Sequence, residues 1–211
     1  MKKILLLIMM VLLTCGHAAA QKKTKYATLY RDFRPSVVTF ADGHRSRQSL
    51  TNVFLKNSAL LFLRGELTME ATMDNIVAVD FEGGRSFVNV NNQLAYKIDS
   101  VGSNYLCCVE LFDKDTYERN LRNNVNITNI DLGDQISTAT VDINTEDDYK
   151  LPVFRHFYYY YNGEYIKVHE RELSRRLPKD KRTMMKRIMA LPDFSWTRDE
   201  SLVQLLKAIS D

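Results

Sequence analysis

The segment that most limits the fold of this chain is a tyrosine-rich hairpin near residue 160. Four consecutive tyrosines, Tyr158–Tyr161, precede Asn162-Gly163 and the short run Tyr165–Val168. An Asn-Gly pair readily adopts positive φ at both central positions of a type I′ turn, so the segment predicts a tight antiparallel hairpin. Because successive side chains in a strand point to opposite faces, we expect one tyrosine pair to pack on the core and the other to lie on the surface.

Upstream of this hairpin, from about Ser36, short β-branched runs alternate with turn signals. Ile76–Phe81 leads into the glycine-containing turn Glu82–Arg85, and a second such turn, Val101–Asn104, separates two further apolar runs. Strands joined by short hairpins are the expected structure. Another alternating run, Ile136–Ile143, predicts one more strand.

After the last of these runs the apolar spacing changes to a helical period. Two stripes recur at intervals of three and four residues: Met184, Met185, Ile188 and Met189, and then Leu202, Leu205, Leu206 and Ile209. Thr197 and Glu200 fit a capping box ahead of the second stripe. Strands followed by helices predict an α+β fold, with a predominantly antiparallel β-sheet body and two or three C-terminal helices over about residues 169–211. We expect a single domain over residues 21–211.

The N-terminus predicts export. A positive start, Met1-Lys2-Lys3, is followed by the apolar run Ile4–Leu13 and by three small residues that end at Ala20. This pattern is typical of a signal peptide over residues 1–20, cleaved between Ala20 and Gln21. The apolar run is shorter than the roughly 20 residues that span a bilayer. The expected location is periplasmic, outer-membrane-associated or secreted.

An alternative processing route remains open. The segment Leu12–Gly16 resembles a lipobox, in which Cys15 would become the lipid-bearing first residue, although Thr14 departs from the usual small residue before the cysteine. In that case the exported chain would carry a lipid anchor. No later apolar run is long enough to predict a transmembrane span in the mature chain.

The charge and the cysteine content argue against a nucleic-acid-binding protein and against a disulfide-stabilised one. The chain has 29 Lys and Arg against 26 Asp and Glu, a formal charge of +3, and loss of Lys2 and Lys3 with the leader lowers it to about +1. Such a balance argues against nucleic-acid binding. Cys107 and Cys108 are adjacent and would face opposite sides of a strand, so they are expected to be buried small side chains rather than a disulfide.

Several segments carry a resemblance that covers most of the mature chain. They are Phe40–Gly43, Asn52–Asn57, Met69–Ala71, Ile76–Phe81 and the tail Arg175–Leu206. Through them the chain resembles a family of uncharacterised exported proteins common in Bacteroidetes. The resemblance implies a periplasmic, surface or secreted location in a Gram-negative cell, and it implies no catalytic residues.

The tyrosines are also the candidate binding residues. Exposed aromatic strips bind sugars and peptides by stacking and by hydroxyl hydrogen bonds. The predicted strip consists of Tyr158, Tyr159, Tyr160, Tyr161 and Tyr165. The alternative is that these side chains pack the hairpin onto the sheet.

Catalytic signals are scattered. His44 follows Asp42, and His169 lies beside Glu170 and Glu172, with His156 across the tyrosine hairpin. These residues keep a hydrolase with a scattered His/carboxylate site as the alternative function. No nucleophile elbow, phosphate-binding loop or regular zinc or EF-hand spacing occurs, so no metal or cofactor is predicted. The favoured function is a non-enzymatic binding or structural module of the cell envelope, with an envelope protein, a peptide or a glycan as partner.

Overall fold

The structure, a computed structural model, describes residues 26–122 and 151–210. Its centre is one antiparallel sheet of ten strands in the order β10-β9-β8-β7-β6-β5-β1-β2-β3-β4. The strands are β1 (Arg34–Phe40), β2 (Arg45–Phe54), β3 (Ala59–Arg64), β4 (Leu67–Glu70), β5 (Ile76–Phe81), β6 (Ser86–Val90), β7 (Gln93–Val101), β8 (Asn104–Phe112), β9 (Val153–Tyr161) and β10 (Glu164–Lys167).

Most of the helical structure follows the sheet, which confirms the predicted α+β fold. The helices are α1 (Lys114–Arg122), α2 (Glu170–Arg176), α3 (Lys179–Met189) and α4 (Asp199–Ser210), with a short 3-10 helix at Met73–Asn75. None of the helices within residues 26–122 and 151–210 is long and apolar enough to cross a bilayer. The predicted strand Ile136–Ile143 and the predicted signal peptide lie outside the described residues.

The predicted hairpins form where the turn residues indicated. Asn162 and Gly163 both have positive φ, 50° and 88°, and they join β9 to β10 as a type I′ turn requires. Gly83 and Gly102 also adopt positive φ in the β5–β6 and β7–β8 turns. These local signals therefore fix the register of neighbouring strands.

The core lies between one face of the sheet, the inner face, and the C-terminal helices. The α4 stripe of Leu202, Leu205, Leu206 and Ile209 is fully buried, at 0% exposure. The sheet also curls toward this side, so that strands far apart in its order meet. Ser58, in the β2–β3 turn, accepts a 2.7 Å hydrogen bond from the Leu94 N–H of β7, and its Oγ donates to the Leu94 carbonyl at 2.7 Å. The inner face is therefore concave.

Three elements were not predicted, one of them the 3-10 helix at Met73–Asn75. Helix α1 interrupts the strand region, and Asp113 caps it by accepting a 2.9 Å hydrogen bond from the Thr116 N–H. The same backbone hydrogen bond lowers the pKa of the Asp113 carboxyl. The four-residue strand β4 (Leu67–Glu70) pairs with β3 and forms one edge of the sheet.

The start of α4 differs from the predicted capping box. The helix begins at Asp199, and the Thr197 hydroxyl pairs with the Ser195 hydroxyl at 2.9 Å instead of capping Glu200. The Ser195 N–H donates to Ser201 Oγ at 3.2 Å. The capping-box prediction was wrong because the polar residues around Ser195 bond to one another in the turn before the helix.

Candidate functional site

A cleft of about 450 Å³ lies at the β1–β5 end of the inner face. Six large apolar side chains line it: Val38, Phe40, Leu60, Phe62, Met69 and Ile76. Gln48, Glu70 and Thr72 add polar groups. A mostly apolar cleft with a few polar groups is the usual form of a small-molecule or peptide site.

Strand register explains why these side chains converge. Phe62 of β3 lies opposite Met69 of β4, and Leu60 lies two residues before Phe62, so the alternation of side chains puts all three on the cleft side. Thr68, between Leu67 and Met69, faces the opposite side of β4 by the same alternation. The cleft therefore needs β4, the strand that sequence analysis missed.

The edge of the cleft is exposed. Leu67 is 68% exposed and Met69 is 37% exposed, although both are apolar. At the other end, the His44 ring stacks on Phe40 with ring centroids 5.9 Å apart. The Glu70 carboxylate accepts a 2.7 Å hydrogen bond from Asn57 Nδ2. The cleft thus opens to solvent along β4, between an apolar edge and a polar rim.

The five tyrosines of the predicted binding strip do not share one face. Tyr159 and Tyr161 point into the core beneath α4, where their hydroxyls donate to the carbonyls of Leu202 at 2.7 Å and Ile209 at 3.1 Å. Burial raises the pKa of Tyr159 well above its usual range. These two tyrosines therefore hold the C-terminal helix on the sheet, and a continuous surface strip of all five does not form.

The other tyrosines lie on the outer face of the sheet. Tyr160 stacks on Tyr105 of β8, with ring centroids 4.8 Å apart, and the hydroxyls of Tyr105 and Tyr165 are 2.7 Å apart. Tyr158 packs beside Cys107 on the same face. These contacts join β8, β9 and β10. Ligand binding by Tyr158, Tyr160 and Tyr165 stays a prediction.

The three histidines are separated in the structure. His44 contributes its backbone N–H to the Asp42 carboxylate at 2.9 Å, and the His169 ring accepts the Arg171 N–H at the start of α2. His156 is half-buried on the outer face, where burial and then the charge of Lys167 lower its pKa. Within residues 26–122 and 151–210, no imidazole–carboxylate ion pair of the kind a hydrolase would use is formed.

Four charged side chains form a continuous ion-pair network that ends at Asp199, the first residue of α4. Arg85 Nη1 lies 2.8 Å from Glu110, and Arg155 Nη2 lies 2.8 Å from Asp199, while Glu110 and Arg155 are 3.9 Å apart. Arg155 also donates to the Tyr96 hydroxyl. Each charge lies next to one of opposite sign, so this network ties α4 to β8 and β9, although Arg155 Nε and Asp199 Oδ1 are buried without a hydrogen-bond partner among the described residues.

The two cysteines confirm their predicted places. Cys107 packs in the outer-face cluster and Cys108 in the inner core, and both are free thiols. Burial raises the pKa of each thiol to about 12. Among the described side chains, no group of three or more His, Cys, Asp or Glu is placed to hold a metal ion.

Comparisons with known proteins give no relative for this fold. No protein-family model, no curated protein and no solved structure matched the chain.

Sequence analysis missed the cleft residues for a physical reason. Met69 and Glu70 entered only through a resemblance, and Phe62 is one of four consecutive apolar residues, Leu60–Leu63, whose pattern does not distinguish it from its neighbours. The alternation of Leu67 and Met69 around Thr68 is a weak strand signal because it covers four residues. The exposure of these two apolar side chains, which marks the site, is set by the tertiary structure.

Proposed function

We propose that this chain is an exported, non-enzymatic binding module of the cell envelope, and that the cleft at the β1–β5 end is its ligand site. The observation that supports this most strongly is the open apolar cleft itself, with Phe40, Phe62 and Met69 on its walls. Exposed apolar side chains on an otherwise polar rim are typical of interaction sites. The scattered histidines give no support to the hydrolase alternative.

Site-specific photo-crosslinking tests the ligand site. Benzoylphenylalanine in place of Met69 is expected to give a discrete covalent adduct when the exported protein is irradiated in intact Gram-negative cells. The same amino acid in place of Met184, a methionine on α3 that is 39% exposed and does not line the cleft, is the matched control and is expected to give none. Equal adducts from both positions, or no adduct from either, would contradict the cleft as the ligand site.

Export is tested by the mass of the mature protein. When the full chain is expressed with its own leader, the protein is expected in the periplasmic or outer-membrane fraction. Its intact mass should equal that of a chain that begins at Gln21, with or without cyclisation of this N-terminal glutamine. The Cys15→Ser variant is expected to give the same mass. A mature chain that begins at Cys15 with attached acyl groups would instead identify a lipoprotein, and an unprocessed cytoplasmic chain would contradict export.

A further inference from the structure

We infer that the ligand of the cleft is an extended polypeptide segment that adds to β4 as an eleventh strand and inserts alternate apolar side chains into the cleft. This inference rests on the proposed function and specifies its ligand class. It depends on three properties of the β4 edge: a one-sided strand, an apolar cleft beside it and a predominance of acidic side chains around both.

The first property is the position of β4. It is the terminal strand of the sheet and pairs with β3 on one side, and no strand in the described part of the chain lies on its other side. A terminal strand presents alternate backbone N–H and C=O groups outward, in the arrangement that a further strand would need. The strand is only four residues long, itself one way in which natural sheets limit edge pairing, but it reads Leu-Thr-Met-Glu without the lysine, proline or bulge that commonly protects an edge, and its register with β3 is unbroken.

The second property is the continuity between the edge and the cleft. A strand added beside β4 would place every second side chain on the same side as Met69 and Phe62. Those side chains would cover Met69 and enter the cleft, whose volume of about 450 Å³ lies in the usual range of ligand pockets. Strand addition beside a pocket is an established form of peptide recognition, in which the backbone supplies affinity and the pocket supplies specificity.

The third property is charge. The segments that border the cleft, residues 40–44 and 64–75, carry four carboxylates against one arginine, and all five side chains are exposed: Asp42, Glu66, Glu70, Asp74 and Arg64. This net negative rim complements a peptide that has basic residues next to its apolar ones. We therefore assign the occupant as an extended peptide with alternating aliphatic side chains and flanking lysine or arginine.

The test uses the mature chain, residues 21–211, and a fluorescent blocked peptide of sequence Lys-Val-Thr-Val-Thr-Val-Lys. We expect saturable binding that weakens several-fold when NaCl rises from about 50 mM to about 500 mM, and that weakens similarly when both lysines are replaced by glutamate. Met69→Lys should weaken binding at least roughly tenfold, because it places a charge in the cleft beside the peptide. Met184→Lys makes the same substitution at a methionine of similar exposure on α3, outside the cleft lining, and should change binding less than about twofold.

Backbone methylation distinguishes strand addition from simple occupation of the cleft. In an extended peptide the N–H groups of alternate residues point to the same side, so methylation of the three valines blocks one edge and methylation of the two threonines blocks the other. Strand addition predicts that one methylated peptide loses binding while the other binds like the parent. Equal binding by both, or equal loss in both, would overturn it.

Nile red, a neutral apolar dye, separates failure of this inference from failure of the proposed function. Dye fluorescence that is enhanced by the wild-type chain and the Met184→Lys variant, but not by Met69→Lys, would show a competent apolar site. If that result comes without peptide binding, the peptide inference is overturned while the cleft remains the ligand site. If neither the dye nor the peptide binds, both the inference and the proposed ligand site fail.

Discussion

Replacement of Leu205 by alanine is expected to lower the free energy of unfolding by about 2–5 kcal/mol. Leu205 has no exposed surface and lies in the stripe by which α4 contacts the inner face of the sheet. Truncation removes three carbon atoms from this contact and leaves a cavity that the surrounding β-sheet can fill only in part. Urea unfolding followed by the fluorescence of Trp196, the single tryptophan, measures the loss because Trp196 lies just before α4.

A matched control is available on the surface. Leu67→Ala makes the same chemical change at a side chain that is 68% exposed, so its effect is expected to stay within about 1 kcal/mol. Far-ultraviolet circular dichroism should follow the same transition as Trp196 fluorescence, because α4 and the sheet share one core. A Leu205→Ala loss no larger than that of Leu67→Ala would contradict the packing of α4 described above.

Local sequence signals were sufficient for most of the sheet. Asn162-Gly163 predicted a turn whose φ values the structure bears out, and Gly83 and Gly102 marked two further turns between strands. These signals act over two to four residues, and the antiparallel pairing of neighbours follows directly from them. The same reasoning placed the helices after β10, because a period of 3.6 residues persists over the full length of α4.

The candidate site could not be obtained in this way. The cleft exists because β1–β5 curl toward the helices, and that curl depends on contacts such as Ser58 with Leu94, which are 36 residues apart. No local pattern encodes such a contact. The tyrosine run illustrates the same limit, since alternation predicts that one pair is buried but identical side chains do not indicate which one. The carbonyls of Leu202 and Ile209, far along the chain, select Tyr159 and Tyr161.

Stability is expected to fall steeply as the pH rises above about 9. Cys107, Cys108 and Tyr159 are fully buried, and burial raises all three pKa values, to about 12 for each thiol. In the unfolded chain the thiols release protons near pH 8.5 and the phenol near pH 10. Because each folded-state pKa is raised, the stabilisation is complete below the unfolded pKa and is lost as the pH rises toward the folded one.

Each group can remove up to about 1.4 kcal/mol per pH unit within its window, so the two thiols alone set an upper limit of roughly 5 kcal/mol between pH 9 and pH 11. That limit is comparable with the total stability of many domains. Urea unfolding of the mature chain, residues 21–211, at intervals of half a pH unit measures the slope. Cys107→Ala with Cys108→Ala should flatten the profile between pH 9 and pH 10, and Tyr159→Phe should flatten it only above pH 10. An unchanged profile in the double alanine variant would mean that burial does not hold the thiols protonated, because it would show that they release no extra protons when the chain unfolds.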